Sequence, residues 1–389
     1  MWWQEREIRE ADQLLSKGEI EAAAKKVDHF LKEHPQHGGA MALKARVLVA
    51  AGYPGSAISI FERFGASSPR DLHAWAQAHL ALEHFSIALP LLEVVDKSGV
   101  DRADVLYELA ACRAKLGDFD GALEAADRFA ALPGLEGRGE LLRGTINQQR
   151  GNLRLAAEAW GKVLKLSPDA NDLQLPPEEF FLEYGRVLLA KGESTLAIDL
   201  LKRSVEFKTD PAAYVALGEA QFQAGHSQEA EDAFEKAMAE APNSAVARKG
   251  LATLALADRD AQKAIDLLAP LERSPALTSE MAFMMQRAFV IQGDEATAGR
   301  WRDKADELRR LESARAAADQ ILRDTPNSSW ATVIRAYRFA LDGNWDQAES
   351  LLKPLGTESL KQSFIQSLSE AVRTHGELPP LQDLPLRDL

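Results

Sequence analysis

Glycine recurs along this chain at a nearly fixed distance, and that repeat constrains the fold more than any other feature. Gly18 and Gly52 are 34 residues apart, as are Gly117 and Gly151. Between these glycines the apolar residues recur at i, i+3, i+4 and i+7, which is typical of helices. A period of this length predicts an array of small, similar helical units. An alanine stands five residues after the glycine in eight units: Ala23, Ala57, Ala122, Ala156, Ala197, Ala230, Ala298 and Ala348.

Each unit is predicted to consist of a helix, a tight glycine turn, a second helix and a break. The alanine is small because the two helices of a pair must approach closely there. A proline lacks a backbone N–H and restricts the residue before it, so it is predicted to end the second helix. Such prolines follow several of the glycines by 17 residues: Pro35, Pro69, Pro168 and Pro242. The units begin near residues 4, 38, 72, 103, 137, 178, 211, 245, 279 and 329, which makes ten.

Three segments depart from the period. The third unit is short, and Leu82–Phe85 replaces its glycine turn. Residues 171–177 are seven more than the period allows, and their double proline predicts a loop. Gly293 and Gly343 are 50 residues apart, sixteen more than the period. The apolar residues in this stretch lie on one helix face, so a single long helix is predicted from about 294 to 324.

One stretch carries the repeat in its clearest form and resembles the tetratricopeptide repeat family. The matching positions are Tyr214, Leu217, Gly218, Gly225, Ala230, Phe234, Ala237 and Pro242. The fold class predicted for the chain is therefore all-α: a right-handed superhelical solenoid of antiparallel helix pairs. The expected organisation is N-terminal units in 1–170, an inserted loop at 171–177, central units in 178–325 ending in the long helix, a last unit and capping helix in 326–375, and a tail in 376–389.

The resemblance implies a non-catalytic scaffold whose first helices line a concave groove for a protein or peptide partner. Phe283 and nine further residues fall at groove positions, although plain packing or solvation is the alternative for each of them. The nine candidate contacts with a partner are Arg46, Tyr107, Gln148, Arg186, Glu219, Phe222, Arg287, Trp330 and Tyr337. An enzyme, or an enzyme accessory with a site near 287–315, is the alternative function.

The net charge and the motifs of the sequence limit the classes of partner and of chemistry that can be expected. The net charge is −13, and a nucleic-acid partner, which requires a basic face, is therefore not expected. The densest basic stretch, Arg300 to Arg310, is interleaved with acids and predicts a solvated helix face, with an anion site as the alternative. Neither a phosphate-binding loop nor a nucleophile elbow occurs, and the single Cys112 lies in an apolar run that predicts burial. No cofactor or metal is expected, even though His73, His79 and His84 share one unit.

Both ends of the sequence carry apolar residues that are expected to be shielded from water. Trp2 and Trp3 are expected either to shield the open end of the first helix pair or to follow a membrane helix upstream. In the second case the chain would be the soluble part of a membrane-anchored, bacterial-type assembly protein outside the cytoplasm. The sequence as given slightly favours a cytoplasmic location. Near the other end, Thr357 is expected to cap a last helix with an apolar face of Leu360, Phe364, Leu368 and Val372. In the tail, Leu378, Leu381, Leu384, Leu386 and Leu389 are predicted to pack in extended form against the last helices, a disordered remnant being the alternative.

Overall fold

The computed structural model describes residues 2–325, 328–355 and 363–384, and these residues form helices and connecting turns. The chain divides into two compact units, Met1–His226 and Ser227–Leu389. The helices of the first unit are α1 Trp2–Ser16, α2 Ile20–Glu33, α3 Gly38–Ala50, α4 Pro54–Phe64, α5 Pro69–Ala81, α6 Phe85–Ser98, α7 Arg102–Lys115, α8 Phe119–Ala130, α9 Glu136–Gln149, α10 Leu153–Leu166, α11 Pro177–Ala190, α12 Ser194–Phe207 and α13 Pro211–Gln223. The helices of the second unit are α14 Ser227–Glu240, α15 Ala245–Ala257, α16 Ala261–Leu268, α17 Ser279–Gln292, α18 Glu295–Asp324, α19 Ser329–Leu341, α20 Trp345–Leu352 and α21 Ser363–Thr374.

Successive helices pack against each other within both units, which makes the fold an all-α solenoid. Each of the ten predicted unit starts lies within three residues of the first residue of an odd-numbered helix. The first helices of successive pairs also contact one another, α1 with α3, α3 with α5, α7 with α9 and α11 with α13 in the first unit. In the second unit α15 contacts α17 in the same way. The right-handed sense of the superhelix stays a prediction.

The turn inside each pair needs a left-handed backbone, and glycine supplies it. Eight repeat glycines, from Gly18 to Gly343, have φ between +76° and +83°, a region that costs side-chain-bearing residues energy. In two pairs that lack the glycine, Glu83 (φ 57°) and Arg259 (φ 61°) take the same conformation. The turn geometry is thus kept even where the sequence signal is lost.

The repeat alanines are buried, as the predicted close approach of helices requires. Ala23, Ala122 and Ala230 are fully buried, and the other five are at most 5% exposed. Glycine allows a close approach to the second helix of the same pair on α9 and α11, and Gly250 on α15 allows one to Phe234 of the preceding helix α14. A Cβ atom at Gly144 would overlap the indole of Trp160, whose Nε1 donates to the Leu141 carbonyl at 3.1 Å. Close approach therefore explains the small residues on both helices of a pair.

The predicted role of proline as a helix terminator needs one correction. Pro35, Pro168 and Pro242 each follow the end of a second helix by two residues. Pro69, in contrast, is the first residue of α5, and Ser68 caps that helix by accepting from the Asp71 N–H at 3.2 Å. Proline fits this position because the first helical N–H has no intrahelical partner to lose.

The inserted loop between α10 and α11 is folded against the repeat. Ala170 and Leu173 are buried, and Ala170 and Gln174 both have positive φ. Arg203 on α12 donates to the Pro168 carbonyl at 2.7 Å, which fixes the start of the loop. The loop thus has a defined conformation and supplies a wall next to α9.

The second unit contains the predicted long helix as one uninterrupted element. α18 has 30 residues, which corresponds to a length of about 45 Å. Glu312, in its second half, accepts hydrogen bonds from the Ser279 backbone N–H at 2.8 Å and from the Ser279 hydroxyl at 2.5 Å. A carboxylate at the N-terminus of α17 is favourable for the helix dipole, so this contact holds the two helices in register.

The C-terminal tail packs on the second unit as far as the structure describes it. Phe364, Leu368 and Val372 of α21 are buried, as predicted, whereas Thr357 and Leu360 lie outside the described residues. Leu384 is 3% exposed, and it packs with Leu378 and Leu381 in a cluster around Tyr337. A 3-10 turn at Leu381–Asp383 contacts α18. The predicted packing of the tail is confirmed for these leucines, although the 3-10 turn replaces the predicted extended form at Leu381–Asp383. Leu386 and Leu389 lie outside the described residues.

No helix in the described part of the chain is long and apolar enough to cross a membrane. The side chains of Trp2 and Trp3 lie outside the described part, so their predicted roles are not tested.

Candidate interaction surface

Several first helices of successive pairs contact one another in each unit, and the candidate residues lie on first helices. Arg46 is on α3, Tyr107 on α7 and Gln148 on α9. These helices carry alternating buried and accessible positions, since one face packs on the second helices. The accessible side chains of the first helices define what we call the first-helix surface.

Arg46 belongs to a charged network at the N-terminal part of this surface. Its guanidinium lies 2.7 Å from Asp12 and 4.0 Å from Asp71, and its side chain is only 15% exposed. A cavity of about 440 Å3 lies beside it, lined also by Arg70 and His73. Arg46 therefore ties α1, α3 and α5 together and leaves little of its charge for a ligand.

His73 bridges two carboxylates in the same network. Its Nδ1 lies 3.2 Å from Asp101 Oδ2 and its Nε2 lies 2.7 Å from Glu108 Oε2. Gln77 donates to the other Glu108 oxygen at 2.8 Å. Burial alone lowers the pKa of His73, but hydrogen bonds and charge from Glu108 and Asp101 outweigh it, so the pKa is raised. The protonated ring can donate to both carboxylates, which a neutral ring cannot do.

Tyr107 is the candidate residue with the most developed surroundings. Its ring is 47% exposed and lies 5.9 Å from the Phe129 ring, centroid to centroid. It borders a cavity of about 490 Å3 formed by α7, α9 and the inserted loop. The other lining residues are Asp104, Arg138, Leu141, Leu142, Thr145, Leu173, Gln174 and Leu175. The sequence did not indicate these residues as a site. The one signal was the seven-residue excess over the repeat period, which indicated an inserted loop at this place.

Gln148 and Arg186 share one acidic neighbour. Gln148 donates to Glu183 Oε2 at 3.2 Å, and Arg186 lies 2.9 Å from Glu183 Oε1. This links α9 to α11 on the first-helix surface. The structure thus brings these two candidates together, although Arg186 and Glu183 stay largely exposed.

The remaining candidates differ in exposure. Phe222 on α13 is 36% exposed and Phe283 on α17 is 51% exposed, while Glu219 is partly buried and Arg287 exposed. Tyr337 was expected at an exposed groove position, and this prediction is wrong. The residue is 8% exposed, and its ring lies 6.0 Å from that of Phe364. Trp330 is half-buried against the same cluster. The cause is the tail and α21, which cover α19; contact with a partner remains a prediction for all these residues.

The region proposed for an alternative catalytic site has a mainly apolar interior. Trp301 packs with Met285 and Ala305 in the core beneath α18, whereas Arg287 is exposed. In the described ranges, no three His, Cys, Asp or Glu side chains are placed to hold a metal ion. His79 and His84 do meet, with their Nδ1 atoms 3.3 Å apart, and burial together with the charge of His84 lowers the pKa of His79.

Cys112 is buried, as its apolar context predicts. Its thiol donates to the Phe85 carbonyl at a sulfur–oxygen distance of 3.3 Å. Burial raises its pKa to about 11, so the thiol is protonated near neutral pH.

Comparison with family models finds tetratricopeptide repeats at residues 73–136, 141–214 and 211–244. Within these residues the chain consists of tetratricopeptide repeats. These matches cover the helix pairs that carry Tyr107, Gln148 and Arg186. The family generally consists of non-catalytic modules for protein interaction, so a protein-interaction scaffold with a protein partner is the class of function supported here.

One of the similar solved structures supports the same kind of fold. The apo form of RapI is similar over 80% of this chain and 98% of its own, with 14% identity and a TM-score of 0.56. MamA is 26% identical over 44% of this chain and 96% of its own, with a TM-score of 0.38. The C-terminal part of a repeat protein from Cytophaga hutchinsonii is 13% identical over 63% of this chain and 99% of its own, with a TM-score of 0.49. The likeness to RapI concerns the fold alone, and the other two carry no conclusion about this chain. The search of curated proteins gave no match.

Proposed function

We propose that this repeat protein is a non-catalytic scaffold that binds an extended peptide or a partner segment along its first-helix surface. The observation that supports the proposal best is the half-exposed Tyr107 beside a cavity of about 490 Å3. An exposed aromatic ring at the mouth of a cavity is the usual form of an interface anchor, because it buries a large area at low entropic cost. The inserted loop is what turns an open helical surface into a walled cavity at this point.

The lining of the cavity favours a side chain with an apolar body. Leu141, Leu142, Leu173 and Leu175 provide apolar contact, while Asp104, Arg138, Thr145 and Gln174 stand among them with polar groups. Such a mixture suits an anchor residue of a peptide whose backbone amides need hydrogen-bond partners. Gln148, Arg186 and Glu183 would extend the contact along the neighbouring first helices.

The test compares two tyrosines of this chain. A partner is first captured from the native source with the wild-type protein, and its affinity is then measured with Tyr107→Ala and Tyr53→Ala. Tyr53 is 61% exposed but precedes the second helix α4, away from the first-helix surface. We expect Tyr107→Ala to lose about 2 kcal/mol of binding free energy or more, which is roughly a thirtyfold weaker affinity, and Tyr53→Ala to bind as the wild type does. Equal affinities for the three proteins would contradict the proposed surface.

A membrane tether upstream of Trp2 is a separate proposal that rests on the paired tryptophans. It requires an apolar segment of about 20 residues in the native reading frame before Trp2. A native reading frame that starts at Met1 would exclude it.

A further inference from the structure

A second cleft lies in the unit Ser227–Leu389, between the second helices α16 and α18. It has a volume of about 620 Å3. Its floor is apolar: Met285 and Trp301 are buried, and Ile265 and Phe289 are half-buried. The 3-10 turn at Ala269–Leu271 leads into Glu272 and Arg273 at its edge. The cleft therefore combines an apolar base with a polar rim, as interaction sites do.

The rim is cationic in a chain whose net charge is −13. Arg273, Arg300 and Lys304 line it, and Glu272 is the one carboxylate among the lining residues. Arg300 donates to the Thr297 hydroxyl at 3.0 Å, and Lys304 lies 3.0 Å from Glu307. Hydrogen bonds from Thr297 and the charge of Arg300 lower the pKa of Asp294, so two of the three cations are partly neutralised. Arg273 and Arg300 are exposed and keep N–H groups directed to solvent or to a ligand.

This cleft lies on the side of α17 that faces away from the first-helix surface. Two residues along a helix are rotated by about 200°, so Phe283 and Arg287 lie almost opposite Met285. Burial agrees with this geometry, because Phe283 and Arg287 are exposed while Met285 is 2% exposed. A ligand in the cleft would not compete with a peptide on the first-helix surface.

We propose that the cleft binds an acidic segment of a partner protein, with a bulky apolar side chain on the floor and flanking carboxylates at Arg273 and Arg300. Arginine pairs with carboxylates in a bidentate geometry, and a desolvated apolar base next to the pair strengthens it. The net negative charge elsewhere repels acidic segments, so an acidic segment is directed to the few places where the sign of the charge is reversed. Three cations over an apolar floor are too few for a nucleic acid backbone, which needs a longer basic track.

The test uses labelled synthetic peptides and the full chain. One peptide carries adjacent leucine and phenylalanine between runs of glutamate, and the second has glutamine in place of every glutamate. We expect the glutamate peptide to bind, to bind more weakly as salt is added, and to lose roughly tenfold or more of its affinity in Arg273→Glu/Arg300→Glu. The matched control is Arg302→Glu/Arg309→Glu on the same helix, since both arginines are exposed there, pair with Asp303 and Asp306, and lie outside the cleft lining. This control should bind as the wild type does.

Four outcomes would overturn the proposal. They are absence of binding by the glutamate peptide, equal binding of the glutamine peptide, equal loss in both charge-reversed proteins, and binding of anionic phosphatidylglycerol vesicles in place of the peptide. Circular dichroism of both variants checks that each is folded as the wild type is. Tyr107→Ala should leave this binding unchanged, so the result is independent of the proposed function of the first-helix surface.

Discussion

Single atoms decide how closely the helices of a pair can approach. Gly144, Gly185 and Gly250 are first-helix positions where a Cβ atom would overlap Trp160, Leu201 and Phe234 respectively. In the first two cases the large side chain stands sixteen residues later, on the second helix of the same pair. Glycine costs conformational entropy in a helix, and here it is kept because the neighbouring ring or branched chain occupies the space.

Gly144→Ala should destabilise the protein by about 1–3 kcal/mol, because Trp160 must leave its packed position and its hydrogen bond to the Leu141 carbonyl. The free energy of unfolding from chemical denaturation measures the effect. Gly299→Ala is the control, since nothing lies within 4 Å of its added Cβ on α18. That substitution should stabilise by about 0.5–1 kcal/mol through helix propensity alone. Stabilisation by both alanines would mean that the close approach at Gly144 does not exist.

His73 makes the stability of the first unit depend on pH. Its pKa is raised above the ordinary value of 6.5, so the folded state binds the proton more tightly than the unfolded chain does. The resulting stabilisation is complete below the ordinary pKa and is lost as the pH rises through the raised pKa. The groups that face the ring are Asp101, Glu108 and Gln77, and Arg70, Arg46 and Asp104 line the adjoining cavity.

We expect the unfolding free energy of the wild type, measured at several pH values from 5 to 9, to exceed that of His73→Gln most at the acidic end. The difference should shrink as the pH rises. His29→Gln, at an exposed position of α2, should run parallel to the wild type. A constant difference between wild type and His73→Gln across the range would show that the ring is not bound as a cation.

At the scale of elements, the C-terminal tail has the role of a closing segment. An array of helix pairs must end in a surface that water can cover, and its last apolar face is otherwise open. α21 buries Phe364 and Leu368 against the α19–α20 pair, and the tail adds Leu384 beside them. This explains why leucines are so frequent in a segment that proline prevents from forming a regular helix.

Leu384→Ala should lower the free energy of unfolding by about 2–5 kcal/mol, because it leaves a cavity next to Tyr337 and Leu352. Leu341→Ala is the matched control, since Leu341 is 60% exposed at the end of α19 and its truncation should change stability by less than about 0.5 kcal/mol. Equal midpoints of denaturation for the two variants would contradict tail docking.

At the scale of the whole molecule, the repeat made most of the fold predictable. The period fixed where pairs begin, and the apolar face of 294–324 correctly indicated one long helix, because both signals are local in sequence. The burial of Tyr337 could not be predicted, since it depends on α21 and the tail folding back onto α19. The same holds for the cavity at Tyr107 and for the cationic cleft. Each of these sites is formed by side chains from segments that are far apart in sequence. The repeat period describes local structure and does not predict such long-range contacts.

Two compact units with separate cores also change how stability should be understood. In a linear array each repeat contacts its neighbours alone, so a local substitution is expected to act mainly on nearby pairs. The N-terminal unit has its own apolar clusters, such as the one around Leu106 and Phe129, and the second unit has another around Met285 and Trp301. A local substitution is therefore expected to act first on the stability of the unit that carries it.

The buried Cys112 makes the molecule convenient for spectroscopy. With a pKa of about 11, only on the order of one thiol in ten thousand is ionised at pH 7, and the side chain is buried. Since it is the one cysteine of the sequence, we expect the folded protein to react only slowly with maleimide dyes. A cysteine introduced at an exposed helix position can then carry a fluorophore at a single defined place, which allows distances to a labelled partner to be measured on the otherwise unaltered chain.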